Sequence, residues 1–159
     1  MANKKLQVES RAEANMKWQR HIFPRVKINS DASVKEGRGL GFGAVIRNST
    51  GEFLVAKSSF SDSVHPSELA EAIAGRMGME LAFDMNCCQV ILESDCLSLI
   101  QKLSSNSEDR SNLGLVVADI ISLANNFDSF SFHYVPRNAN KVAHILSQMS
   151  LSISCLKRT

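Results

Sequence analysis

Three extended segments follow one another at the start of the patterned chain, before any helical period appears, and this order is the strongest constraint on its fold. Residues 26–33 (VKINSDAS), 41–48 (GFGAVIRN) and 52–60 alternate or run apolar over strand-like lengths. Lys35-Glu36-Gly37-Arg38-Gly39 separates the first two and Ser49-Thr50-Gly51 the second and third, both being turn chemistry. The chain therefore begins with three antiparallel strands in succession.

The period then changes. Pro66 and Ser67 open a helix expected over 67–85, with Leu69, Ile73, Met77 and Leu81 at helical spacing. A second stripe, Glu71, Gly75, Gly78 and Ala82, is small apart from one carboxylate. Small residues there let a helix backbone approach a sheet and carry Glu71 toward it. On an exposed helix the same two glycines would cost about 1 kcal/mol each relative to alanine. QVILES (89–94) is nearly all apolar, as in a central strand covered on both faces, and it ends on Asp95. A short helix (96–103), a polar loop, a second helix (112–126) and a fifth strand (130–135) follow, and His133 on that strand reads as structural. NANKVAHILSQM (138–149) is the last helix. Its spacing puts Val142, Ile145, Leu146 and Met149 on the inward side and His144 on the other, among Asn140, Ser147 and Gln148. The order β-β-β-α-β-α-α-β-α is an α/β layer with a mixed five-stranded sheet.

A chain of 159 residues is one domain. Pro24 divides a polar tail with helical potential (1–24) from the domain proper (25–152), and a short tail (153–159) ends the chain. The net charge of +2 is too small to argue for nucleic-acid binding by itself. The four cysteines show no metal-ligand spacing and read as free thiols in a reducing compartment. The first 25 residues contain no apolar run that could act as a signal or a membrane span. These features lead us to expect a nuclear or cytoplasmic protein with no membrane partner.

Two acids stand at strand ends, Asp31 and Asp95. If the first and fourth strands are parallel neighbours the two meet, and Glu71 reaches them from the helix packed over the sheet. Crowded carboxylates repel unless a cation neutralises them, and the natural one is Mg²⁺. Asp95 as the N-cap of the following helix is the other reading.

VKINSDAS, GFGAVIRNSTGEFL, SELAEAIAGRMGMELA, VILESDCLSLI and YVPRNANKVAHILS together resemble the ribonuclease H domain, in the version found in plant proteins and plant non-LTR retrotransposon polyproteins. The resemblance runs from about Trp18 to the end of the last helix. It implies a ribonuclease H-like fold: three antiparallel strands, then two parallel ones, with helices on both faces. It further implies an endonuclease that hydrolyses the RNA strand of RNA–DNA hybrids with two Mg²⁺ about 3.5–4 Å apart, Mn²⁺ being a substitute. Asp31 would bridge the ions, while Glu71 and Asp95 would each hold one. Glu68 competes with Glu71, but Ala70-Glu71-Ala72 is the segment that matches. Arg47, Arg137, Asn140 and Lys141, with Lys27 and Arg76, are the candidate nucleic-acid contacts; for the cations the other reading is ordinary solvated charge.

The resemblance breaks at its fourth carboxylate, which falls at His144. Either His144 is a solvent-facing position that has drifted, or it lines the metal site and supplies nitrogen where Mg²⁺ prefers oxygen. The second reading weakens the second ion and favours Mn²⁺. A non-catalytic nucleic-acid-binding module derived from a retroelement is the alternative function, and another phosphoryl-transfer enzyme of the same fold is a third.

Overall fold

The computed structural model describes residues 25–156, so the expected 1–24 tail and the last three residues lie outside the described part. The elements are β1 (Arg25–Lys35), β2 (Gly39–Asn48), β3 (Phe53–Ser61), α1 (Ser67–Asp84), β4 (Gln89–Ser94), α2 (Leu97–Leu103), α3 (Asn112–Ala124), β5 (Ser129–Tyr134), a 3-10 turn (Arg137–Ala139) and α4 (Lys141–Leu156). The sheet order is β3-β2-β1-β4-β5. β1 pairs antiparallel with β2 and β2 with β3, whereas β1–β4 and β4–β5 are parallel. This is the expected mixed sheet. α4 continues past residue 152, the boundary drawn from sequence, to Leu156. Cys87, Cys88 and Cys96 are free thiols.

Helices cover both faces, and β2 shows how. A Cβ added to Gly78 of α1 would sit 2.6 Å from Ile28 Cγ2 and 3.5 Å from Ala44 Cβ, so the stripe of small residues does bring α1 close to the sheet. A Cβ added to Gly43 would instead run into the Ala143 carbonyl of α4. Neighbouring strand residues point to opposite faces, so α1 and α4 lie on opposite sides. The main core lies on the α1 side, where Val26, Ile28, Ile46, Met79, Leu92, Leu99 and Ile120 are all essentially inaccessible.

The α4 side is thin, and here the structure corrects the expected packing. Val142, Ile145 and Met149 are exposed, Leu146 is half-buried, and Ala143, Ser147 and Ser150 face the sheet. Gly41 and Gly43 let the helix backbone approach closely, so that Ala143, Ser147 and Ser150 line the contact with Leu151 beside Gly41. An Ile and Met face would hold the helix several ångströms further out. The Val142, Ile145 and Met149 stripe of α4 therefore lies on its outer side.

Candidate active site

Strand register brings the acids together. The parallel β1–β4 ladder ends at Asn29↔Glu93, and two residues beyond on each strand stand Asp31 and Asp95. β1 continues there against β2 alone, with Asp31 opposite Gly43, which leaves an opening at the end of β4. Glu71 enters it from the second turn of α1. Ligand oxygens of Asp31, Glu71 and Asp95 all lie within 4.8 Å of one another. Among the described residues this is the acidic, His or Cys cluster close enough to share an ion.

The cluster is electrostatically strained. The Asp31 side chain is fully buried, and its Oδ1 and the Glu71 Oε2 are buried without a hydrogen-bond partner. Burial, followed by the charges of Asp31 and Asp95, pushes the Glu71 carboxyl up to about 9. Burial also raises Asp31, against the hydrogen bonds from His144 and Ser147 that lower it. Two buried lone-pair sites on crowded acids are what a divalent cation would satisfy. Asp95 does not cap α2: the N-cap there is Cys96, and Asp95 Oδ2 instead accepts from Arg137 Nε at 3.3 Å. Glu68 lies outside the cluster, although its Oε1 is also buried without a partner.

His144 turns toward the acids, with its side chain partly buried. Its Nδ1 lies 2.8 Å from Asp31 Oδ2. While Asp31 is ionised its carboxylate only accepts, so in that state Nδ1 carries the proton. Ser147, one turn on and fully buried, has its Oγ 3.0 Å from the same Oδ2, 2.7 Å from the His144 carbonyl and 2.6 Å from the Ser33 hydroxyl, its one proton being shared among these acceptors. Helical spacing alone places Ser147 beside His144 without giving it a role. The usable signal is their i, i+3 spacing, which points both at one target.

The candidate nucleic-acid contacts divide. Arg47 turns inward, donating to Asn29 Oδ1 at 2.9 Å and to Glu93 Oε1 at 3.2 Å, because Glu93 is buried and needs a cation. Asn140 is also buried, its amide spent on the Ser30 carbonyl at 2.9 Å and on Asn29 at 3.2 Å. Both side chains are thus engaged within the protein, Asn140 fully buried and Arg47 partly exposed. Arg76 is tied to Asp119 at 2.9 Å and Lys27 lies 4.0 Å from Glu93. Lys141 is exposed but stands outside the cleft. His133, expected to be structural, is exposed on β5 opposite Glu93. A cleft of about 720 Å³ opens over the acids, lined by Glu71, Asp95, His144, Arg137, Lys35 and Arg38. Lys35 and Arg38, which the sequence marks only as turn residues, are exposed on the β1–β2 hairpin at its rim.

The sequence profile of the reverse transcriptase-like family matches residues 29–150, from the partner of Glu93 on β1 to the middle of α4. The chain belongs to the reverse transcriptase-like family. The solved structures that match this family member carry the same ribonuclease H fold. RNase H1 from the archaeon Halobacterium salinarum superposes with a TM-score of 0.75 at 21% identity, over 80% of this chain and 98% of that one. The N-terminal RNase H domain of a Mycobacterium tuberculosis protein gives 0.76 at 18% identity, over 86% and 99%. LC11-RNase H1, isolated from compost and solved with an RNA/DNA hybrid, gives 0.71 at 18% identity, over 82% and 99%. No curated protein sequence matches the chain significantly. Among the described residues no helix is long and apolar enough to cross a membrane.

Proposed function

We propose that this domain is a metal-dependent endonuclease acting on the RNA strand of RNA–DNA hybrids. The carrying observation is the Asp31–Glu71–Asp95 cluster, whose mutual reach and unpartnered buried oxygens fit a divalent cation, Mg²⁺ or Mn²⁺. Such an ion supplies Lewis acidity and an acidified bound water at a phosphodiester. Asp31 and Glu71 would hold it from the two faces of the sheet and Asp95 from the end of β4. Lys35, Arg38 and Arg137 stand around the cleft where backbone phosphates would lie, and the ribose 2′-OH would mark the RNA strand. The hybrid bound by LC11-RNase H1 supports this substrate class.

A labelled RNA–DNA hybrid incubated with the protein in Mg²⁺ and in Mn²⁺ tests the reading, with Asp31→Asn as control. Cleavage by the wild type and none by the variant is expected. No cleavage in either metal by folded protein would reject it in favour of a binding module. That second reading draws on His144 in place of a carboxylate and on the Arg137 guanidinium against Asp95.

A further inference from the structure

The imidazole at position 144 has a consequence for how many ions the site takes, if the acidic cluster holds metal as proposed above. A carboxylate that bridges two ions offers one oxygen to each. Here Asp31 Oδ2 already has two protein groups at hydrogen-bond distance, His144 Nδ1 at 2.8 Å and Ser147 Oγ at 3.0 Å, the Ser147 hydroxyl also reaching the His144 carbonyl at 2.7 Å. Its other oxygen, Oδ1, is the unpartnered one, as is Glu71 Oε2. His144 contacts Asp31 yet is not among the residues whose ligand atoms come within 4.8 Å of each other. The free oxygens of Asp31 and Glu71 thus belong to one cluster, with Glu68 Oε1 outside it, and His144 and Ser147 stand at the far side of Asp31.

Opening that far side to a second ion would break both hydrogen bonds. Ser147 is fully buried and cannot swing into solvent, since it lies against Gly41 and Gly43 at the tightest helix–sheet contact. The incoming ion would gain one nitrogen in exchange, a poor ligand for Mg²⁺. The two donors already satisfy charge at Oδ2, as a cation would.

We infer that His144 and Ser147 take the place of a second ion, so the site binds a single divalent cation at Asp31, Glu71 and Asp95. His144 and Ser147 are then positioning residues, acting through Asp31.

Mn²⁺ electron paramagnetic resonance tests this on the full chain. The complex would contain a short, product-like hybrid whose RNA strand starts with a 5′-phosphate, so that phosphate oxygens are available to any second ion. One uncoupled Mn²⁺ per wild-type chain is expected, and a spin-coupled pair in His144→Asp. A coupled pair in wild type overturns the inference, and so does a His144→Asp variant that folds but still takes one ion. If that variant does not fold, the wild-type spectrum decides alone. One bound ion without hybrid cleavage would count against the proposed activity and leave the ion count standing; a coupled pair in an active wild type would do the reverse.

Discussion

Asn140 donates its side-chain amide to the backbone carbonyl of Ser30 at 2.9 Å, which ties the start of α4 to the residue before Asp31. This bond sets where α4 begins, and His144 reaches Asp31 one turn later. The same side chain accepts from Asn29 at 3.2 Å. Replacing Asn140 by Ala would take a donor from the buried Ser30 carbonyl and leave the Asn29 amide with only its 3.4 Å bond to Glu93, at a cost of about 1–3 kcal/mol. Thermal unfolding should show the loss as a drop of several degrees. Affinity of the folded variant for a hybrid should be unchanged, because the Asn140 amide is engaged inside the protein; a clear loss of affinity would restore it as a nucleic-acid contact.

Metal-free protein should lose stability as pH rises. The Glu71 carboxyl, at about 9 in the fold and near 4.5 when unfolded, holds a proton in the native state through that window and releases it on unfolding. Rising pH then favours unfolding, most steeply between those values. Melting temperatures in chelator should fall from pH 5 to pH 9, and Glu71→Gln should flatten the trend and melt higher at the alkaline end. Added Mg²⁺ should stabilise the wild type most at alkaline pH, by about 2.7 kcal/mol at a hundredfold excess over Kd. His144→Asp adds a carboxylate beside Asp31 and should melt below wild type in chelator. A pH-independent melting curve in chelator would mean that the acids are not crowded.

The sheet and its acids were legible because period and register carry them. Alternating segments and short turns fix the meander, and the Asp31–Asp95 meeting follows once β1 and β4 are parallel, since both lie two residues past the last paired position. Glu71 was legible from the small stripe of α1. The α4 side was not, because apolar periodicity assumes that the inward face is the greasy one. Gly41 and Gly43 reverse that rule, and their effect appears only when β2 and α4 are brought together. The intramolecular roles of Arg47 and Asn140 were hidden for a related reason. A polar side chain reads as exposed until its buried partners, Glu93 and Ser30, are known.

Cations at the cleft should separate from those in the sheet. Alanine at Lys35 or Arg38 should reduce the slope of log affinity against log salt by about one for every phosphate left without its cation, with little change in melting temperature. Arg47→Ala should behave in the opposite way. It strips the buried Glu93 of its 3.2 Å partner and should cost about 1–3 kcal/mol, less than a fully buried pair because Arg47 is partly solvated. Its salt slope should match the wild type. Hybrid binding measured over a salt series, alongside thermal unfolding, resolves the two groups.

The corrected orientation of α4 makes the sharpest stability contrast. Ile145 and Met149 are 53% and 50% exposed, so Ile145→Gln with Met149→Gln removes little packing and should shift stability within about 0.5 kcal/mol for each. Gly43→Ala adds one carbon, but that carbon meets the Ala143 carbonyl and lies 2.8 Å from both Leu146 Cβ and Ser147 N. None of these is the far end of a flexible side chain, so the helix itself must move outward, at about 1–3 kcal/mol. Ser147 moves with it, lengthening its 3.0 Å bond to Asp31, so Gly43→Ala should also weaken metal binding. Equal losses from the glycine and the Ile–Met changes, measured by denaturant unfolding, would mean that α4 packs on its apolar side after all.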